Sequence, residues 1–248
     1  MIGSSEIKKV SEIKFLGIII DENLSWDAHI KSLSKKLASC TGSINQIAKS
    51  IPESLYRDLY CTLFECYMTY GLTVWGSAHD SKIDRIFLAQ KKIVRVLFGD
   101  REKYLEKFKT CVRVRPLLQQ KLSSDFYIKE PSKPLFNNKN ILNVKSLYFL
   151  HTAIETFKVL KFKTPIKILD LYDFSSRSHK ELFILTPMPS NTFCYKSSIV
   201  WNKVRNLFKV CDSATSVATL KSKIKSHLLQ NQSLGDTETW VEHNFMKI

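Results

Sequence analysis

A regular apolar stripe is the feature that most constrains how this chain folds. Between residues 27 and 49 the apolar side chains recur three and four positions apart, at Ile30, Leu33, Leu37, Cys40, Ile44 and Ile47. This spacing places them on one side of an α-helix. Lysines occupy the opposite side of the same helical wheel, at Lys31, Lys35 and Lys49. The stretch therefore predicts a two-faced helix, with one face in a core and the other positively charged.

The two-faced design recurs in a helix predicted from a cap at Ser81 to about Phe98. Its apolar side carries Ile83, Ile86, Gln90, Ile93, Val94 and Leu97, and its other side carries Arg85, Lys92 and Arg95. Residues 53–69, which lie between the two helices, are apolar on most sides and predict the most buried helix of the bundle. A further helix is predicted from a cap at Asn143 to about Phe162.

β-branched residues dominate the chain before the first helix. The runs 7–10 and 13–20 are separated by Ser11 and Glu12, which predicts a hairpin or two short paired strands. The fold class is therefore mainly α: a helical bundle with a small N-terminal β-hairpin and a looser helical C-terminal region. Proline and asparagine clusters predict a linker before residue 143. The expected domains are a hairpin (1–25), a helical bundle (26–125), a linker (126–142) and a C-terminal helical region (143–248).

The charge of the chain indicates the kind of partner. The 248 residues include 38 lysines and arginines against 23 acidic residues, a net charge of +15. This excess favours a polyanion or an anionic membrane surface, and the alternative is a basic protein with a solvated surface. No apolar run is long enough to cross a bilayer, and the N-terminus lacks the layout of a secretory signal. We expect an intracellular protein, in the nucleus or cytoplasm, without a membrane partner.

An ordered set of short motifs resembles a known family. The set comprises Phe15-Leu16-Gly17, Ile20-Asp21, Leu24, Trp26, His29-Ile30, Leu37, Gly42, Tyr60, Tyr70-Gly71, Val74-Trp75-Gly76 and Gln90-Lys91-Lys92-Ile93-Arg95. In this order it resembles the region just after the catalytic core of non-LTR retrotransposon reverse transcriptases (LINE-like, jockey-type elements). The resemblance covers about residues 10 to 100 and, more loosely, the end of the chain. It implies that the hairpin is similar to a primer grip and that the bundle is thumb-like.

The resemblance also implies a set of nucleic-acid-binding residues. Phe15, Leu16 and Gly17 would lie against the end of the primer, and the phosphate contacts would come from Lys31, Lys35, Arg85, Lys92 and Arg95. Contacts of this kind position a duplex without reading its bases. The alternatives are that Phe15 and Leu16 are core strand residues and that the charged faces are merely solvated. Trp26 and Trp75 are interpreted as core anchors rather than as stacking platforms for bases.

The carboxylates that polymerases need are missing from the sequence. Nucleotide transfer requires two metal ions held by carboxylates, and a reverse transcriptase supplies an adjacent Asp-Asp pair for this purpose. The sequence has no such pair, so we predict no catalytic residue, no metal ligand and no cofactor, and Mg²⁺ would be held by a missing palm. The sequence is interpreted as a reverse transcriptase fragment that binds an RNA/DNA primer–template and is inactive without a separate fingers–palm polypeptide. The alternative is a non-catalytic helical protein-interaction module.

Overall fold

The computed structural model describes residues 9–99, 132–163, 165–174, 182–184, 192–208 and 216–231. These residues are mainly helical, and a small antiparallel hairpin precedes the first helix, which confirms the predicted fold class. Residues 1–8 and 100–131 lie outside the described residues, and with them part of the predicted hairpin region, the end of the predicted bundle and the start of the predicted linker.

The elements are numbered in chain order. The strands are β1 (Glu12–Phe15), β2 (Ile18–Asp21), β3 (Tyr172–Phe174) and β4 (Leu182–Ile184). The helices are α1 (Asp27–Ile47), α2 (Tyr56–Tyr60), α3 (Cys66–Thr69), α4 (Leu72–Trp75), α5 (Asp80–Phe98), α6 (Lys133–Asn138), α7 (Val144–Phe162), α8 (Ile166–Leu169), α9 (Phe193–Phe208) and α10 (Val217–Gln230). A π-helical turn (Cys61–Glu65) joins α2 to α3 without a break. Among the described helices, none combines the length and the apolar character needed to cross a bilayer.

The N-terminal hairpin turns at Leu16 and Gly17. β1 and β2 pair in antiparallel register, from Glu12 opposite Asp21 to Phe15 opposite Ile18. Leu16 and Gly17 both have positive φ, +46° and +83°, which is typical of the tight type I′ turn of a two-residue hairpin. The predicted break at Ser11 and Glu12 is therefore wrong. The second β-branched run itself folds back on itself, because glycine adopts the left-handed conformation at little cost.

The periodic helices begin and end close to their predicted positions. α1 buries Ile30, Leu37 and Ile44 completely, so its apolar stripe faces the core as predicted, except at Ile47, which is 40% exposed at the end of the helix. α7 begins after Asn143, whose side chain accepts a hydrogen bond from the backbone N–H of Ser146, and this confirms the predicted cap. α5 is capped instead by His79, whose ring nitrogen accepts from the N–H of Ser81.

Among the described helices, α7 buries the most residues. Within the predicted bundle α5 buries eight residues and residues 53–69 bury four, so the prediction that residues 53–69 form the most buried helix of the bundle is wrong. α7 packs against α4, α5, α9 and α10, and twelve of its residues are buried. The 53–69 segment buries Tyr56, Tyr60, Phe64 and Met68 but leaves Leu63 and Tyr67 exposed. A helix becomes central when neighbours cover it on all sides, and the sequence of the 53–69 segment does not reveal how many neighbours it has.

Polar side chains join the C-terminal part of the fold to the front helices. The fully buried amide of Gln90 donates to the hydroxyl of Tyr60 and to the carbonyl of Leu142, and its oxygen accepts from the N–H of Val144. Residues 133–138, predicted as linker, form α6, and Phe136 on this helix is completely buried. The helices before residue 99, α1 to α5, therefore share one core with α7. The predicted domain boundaries stay predictions.

Candidate nucleic-acid interface

A cleft of about 580 Å³ lies between the hairpin, α1 and α5. Its lining residues are Glu12, Ile19, Asp27, Ala28, Lys31, Ser32, Lys35 and Arg85. Three of the five predicted basic contact residues, Lys31, Lys35 and Arg85, therefore meet in one place. The apolar stripes of α1 and α5 pack on each other, and this packing places Arg85 opposite the two lysines of α1.

The three cations of the cleft are accessible. Lys31 and Lys35 lie one helical turn apart, about 6 Å along the axis of α1, so their charges form a short row. Both lysines and Arg85 are exposed. In the part of the chain that the structure describes, none of the three forms an ion pair with a carboxylate. A row of exposed, unpaired cations suits the phosphate groups of a polyanion.

Two carboxylates also line the cleft, and one of them is neutralised by a lysine from α5. The Nζ atom of Lys82 lies 3.1 Å from Oδ2 of Asp27 and donates to the carbonyl of Ser25 at 2.7 Å. The other carboxylate, Glu12, lies on the hairpin side of the cleft. Because Lys82 compensates Asp27, the cleft has three cations and one acid, Glu12, that forms no ion pair among the described residues, so the cleft stays positive.

The carboxylate of Asp21 fixes the chain between the hairpin and α1. Its Oδ2 accepts the backbone N–H of Trp26 at 2.8 Å, and its Oδ1 accepts those of Ser25 and Asn23 at 2.9 and 3.2 Å. Burial raises the pKa of Asp21, but the hydrogen bonds from these N–H groups outweigh it and leave the pKa below its ordinary value. Trp26, in the left-handed conformation, occupies the N-cap position of α1.

Replacing Asp21 with alanine is expected to destabilise the protein by about 1–2 kcal/mol at neutral pH, because three backbone N–H groups lose a charged acceptor. The pKa of Asp21 is lower in the folded state, so its contribution is present above the unfolded pKa and is lost as the pH falls through the folded pKa. Denaturant titration of wild type and Asp21→Ala over a pH series measures both effects.

The control for this prediction is Asp21→Asn, which keeps an acceptor oxygen without the charge. It is expected to lose less stability than the alanine variant and to lose the pH dependence that Asp21 contributes. At acid pH the difference in the free energy of unfolding between wild type and Asp21→Ala is expected to shrink. If it does not, the ionised carboxylate is not the group that stabilises this turn.

His29 joins the hairpin to the core behind the cleft. Its Nδ1 accepts the backbone N–H of Ile19 at 3.4 Å, and its ring centre lies 5.7 Å from that of Trp75. Burial lowers the pKa of His29, so the imidazole is neutral at neutral pH and acts as an acceptor. Trp26 and Trp75 are both buried, which confirms that they are core anchors and excludes them as exposed stacking platforms.

The predicted hairpin residues lie apart from the cleft. Phe15 is 60% and Leu16 is 74% exposed, and Gly17 is exposed beside them. The alternative that Phe15 and Leu16 are core strand residues is therefore wrong. These residues form the tip of the hairpin, whereas the cleft is lined by Glu12 and Ile19 further along the strands. A partner that touches both places has to extend along the hairpin.

Arg95 and Lys92 are not part of the cleft. Arg95 is only 6% exposed, so the prediction that it lies on an exposed basic face is wrong. It lies roughly 60° round the helix from Lys92 and, like Lys92, on the side away from the apolar stripe. α5 packs against α6 and α7 as well as α1, and the helical wheel reveals none of these neighbours. Lys92 is exposed but does not line the cleft.

Lys14 is a basic residue beside the cleft that the sequence analysis did not select. In the register of the hairpin, Lys14 lies opposite Ile19 and on the same face as Glu12, and both of these residues line the cleft. Side chains alternate between the two faces of a strand, and this alternation places Lys14 on the face of Glu12. It pairs Lys14 with Ile19 only when the turn lies at Leu16 and Gly17, and the sequence predicted the turn elsewhere. Lys14 is exposed and extends the positive surface towards the hairpin tip.

Metal-ligand side chains do not cluster in the described ranges. Within residues 9–99 and the described segments after residue 131, no three His, Cys, Asp or Glu side chains are grouped so that they could hold a metal ion. The lysines and the arginine that line the cleft can bind an anion electrostatically.

The fold and the cleft define a mainly α-helical protein whose N-terminal hairpin forms one wall of an open basic cleft. Over 93 residues the chain is 26% identical to a probable RNA-directed DNA polymerase from the transposon X-element of Drosophila melanogaster. The aligned part is 35% of this chain and 10% of that polymerase, so the chain spans a small part of its relative. No family model and no solved structure matches. The similarity supports a distant relationship to transposon reverse transcriptases.

Proposed function

We propose that this chain is the thumb-like part of a non-LTR, jockey-type retrotransposon reverse transcriptase and that it binds an RNA/DNA primer–template. The observation that carries the proposal is the meeting of Lys31, Lys35 and Arg85 in one open cleft without carboxylate partners among the described residues. The similarity to a transposon RNA-directed DNA polymerase supports the same proposal. The cleft would bind the phosphate backbone and leave the bases unread.

In this proposal the chain positions a duplex and another part of the polymerase performs the chemistry. The sequence has no adjacent pair of aspartates, so the two metal ions of nucleotide transfer would be held by a fingers–palm portion. The exposed tip residues Phe15 and Leu16 would face the end of the primer, and the cleft would hold the phosphates behind it. The contribution of this chain is orientation of the substrate relative to the catalytic site.

A second candidate function, a protein-interaction module, is favoured by one observation. Phe15, Leu16 and Tyr70 are 60%, 74% and 56% exposed, and the Tyr70 hydroxyl touches the backbone of Leu16, so these apolar groups lie together. An exposed apolar patch is typical of a surface that docks on another protein. The two candidates differ in their dependence on salt, because apolar docking releases few counterions.

The experiment that tests the proposal is a salt titration of binding to a fluorescently labelled RNA–DNA hybrid, followed by anisotropy. If three phosphates are bound, the plot of log affinity against log salt has a slope of about −2 to −3, and affinity falls roughly 15- to 60-fold between 50 and 200 mM salt. The matched control is a hybrid of the same sequence with uncharged methylphosphonate linkages, which is expected not to bind. A slope near zero, or equal binding of the control, contradicts the proposal and favours the interaction module.

A further inference from the structure

Tyr70 lies against the turn of the N-terminal hairpin, although it is more than fifty residues away in the sequence. Its hydroxyl donates a hydrogen bond of 2.6 Å to the carbonyl of Leu16. A Cβ atom on Gly17 would lie 3.4 Å from Cε1 of the Tyr70 ring. The ring and the hydroxyl therefore both contact the two residues that form the turn.

The core in turn holds Tyr70 in place. The indole N–H of Trp75 donates to the carbonyl of Tyr70 at 2.9 Å, and Trp75 is completely buried. The ring of Trp75 also packs beside His29, which accepts the N–H of Ile19 from β2. Two linkages thus connect the core with the hairpin, one at the turn and one in the middle of the second strand.

Gly71 makes room for the hairpin next to Tyr70. Its φ is +61°, and a Cβ atom at this position would lie 2.5 Å from Cδ1 of Ile18. A side chain at residue 71 would therefore displace Ile18, the first residue after the turn. The break between α3 and α4 receives the hairpin, because the tyrosine contacts the turn while the glycine admits the strand.

The turn needs support of this kind. Leu16 is a non-glycine residue at φ +46°, a conformation that costs an L-residue free energy. An isolated two-stranded hairpin is marginal in water, and these strands have only four residues each. Phe15 and Leu16 are mostly exposed and add little packing of their own.

We infer that Tyr70 is a positioning residue that holds the hairpin turn, and with it the exposed tip, in a fixed orientation beside the basic cleft. The inference rests on the proposed function where it concerns nucleic-acid binding, since a fixed tip and the cleft then engage one duplex together. The role of Tyr70 in ordering the hairpin is independent of any ligand.

The test is Tyr70→Phe, which keeps the ring and removes the hydroxyl. Amide hydrogen exchange of residues 12–21 is expected to accelerate about 2- to 10-fold, the equivalent of one hydrogen bond, while exchange in α5 and α7 stays unchanged. Affinity for the RNA–DNA hybrid is expected to fall by a similar factor without a change in the slope of its salt dependence, because the cleft cations are intact. The matched control is Tyr67→Phe, which removes another exposed tyrosine hydroxyl of the same segment and is expected to change neither quantity.

The outcomes of this experiment distinguish the role of Tyr70 in holding the hairpin from the proposed binding of a primer–template. Unchanged hairpin exchange in Tyr70→Phe overturns the inference, whatever happens to hybrid binding. Faster exchange with unchanged hybrid affinity overturns the role of Tyr70 in binding. If the wild-type chain does not bind the hybrid at all, the proposed function fails, and the exchange rates alone then decide whether Tyr70 holds the hairpin.

Discussion

Replacement of Gln90 by leucine is expected to destabilise the fold by about 3 kcal/mol or more, since each buried polar group left without a partner costs about 1–3 kcal/mol. The side chain of Gln90 is completely buried and forms three hydrogen bonds, to the hydroxyl of Tyr60, the carbonyl of Leu142 and the N–H of Val144. Leucine has a similar size but leaves all three groups unsatisfied. Denaturant titration of wild type and Gln90→Leu measures the loss.

The matched control is Gln46→Leu on the surface of α1. Gln46 is exposed, and among the described residues its side chain accepts only from Lys49, so this substitution is expected to change stability by less than about 0.5 kcal/mol. Amide exchange at Val144 offers a second readout, because this N–H loses its acceptor in Gln90→Leu alone. Equal stability of the two variants would contradict the assignment of Gln90 as the link between α5, α2 and the start of α7.

The sequence predicts those parts of the fold that depend on residues close together in the chain. The stripe of α1 and the Asn143 cap of α7 are local patterns, and the structure confirms the cap and the stripe from Ile30 to Ile44. The turn at Leu16 was not predicted because leucine rarely adopts positive φ, and the tyrosine that contacts this turn lies far away in the sequence. The central position of α7 likewise depends on neighbours from both ends of the chain.

The residues of the candidate site also differ in whether a local pattern or tertiary packing determines their role. The helical wheel selects Lys31, Lys35 and Arg85 as residues on charged faces, and the structure brings them together. The wheel does not show that Arg95, on the same side of α5 as Lys92, is buried in the folded protein. Nor does it show that Lys82 compensates Asp27, which depends on the packing of α5 against the start of α1. A periodic pattern assigns a residue to a face, but tertiary packing decides whether that face is open.

Reversing the three charges of the cleft, in the variant Lys31→Glu, Lys35→Glu and Arg85→Glu, is expected to weaken binding to the RNA–DNA hybrid about 100-fold at low salt. Each reversal removes a phosphate contact and adds a repulsive charge, so the slope of log affinity against log salt is expected to flatten by about 2–3 units. The three side chains are exposed and have no carboxylate partner in the described part of the chain, so the fold is expected to persist. Anisotropy titrations at several salt concentrations measure affinity and slope together, and circular dichroism measures the helical content.

The choice of residues and of the control separates a local site from overall charge. Arg95 is left intact because a glutamate at this buried position would unfold the protein and remove binding for an unrelated reason. The control variant reverses Lys163, Lys167 and Lys223, which are exposed and do not line the cleft, and it carries the same net charge as the cleft variant. If both variants lose affinity equally, binding follows the net charge of +15 and not the cleft. If only the cleft variant loses affinity and retains its helical content, the phosphates are bound between the hairpin, α1 and α5.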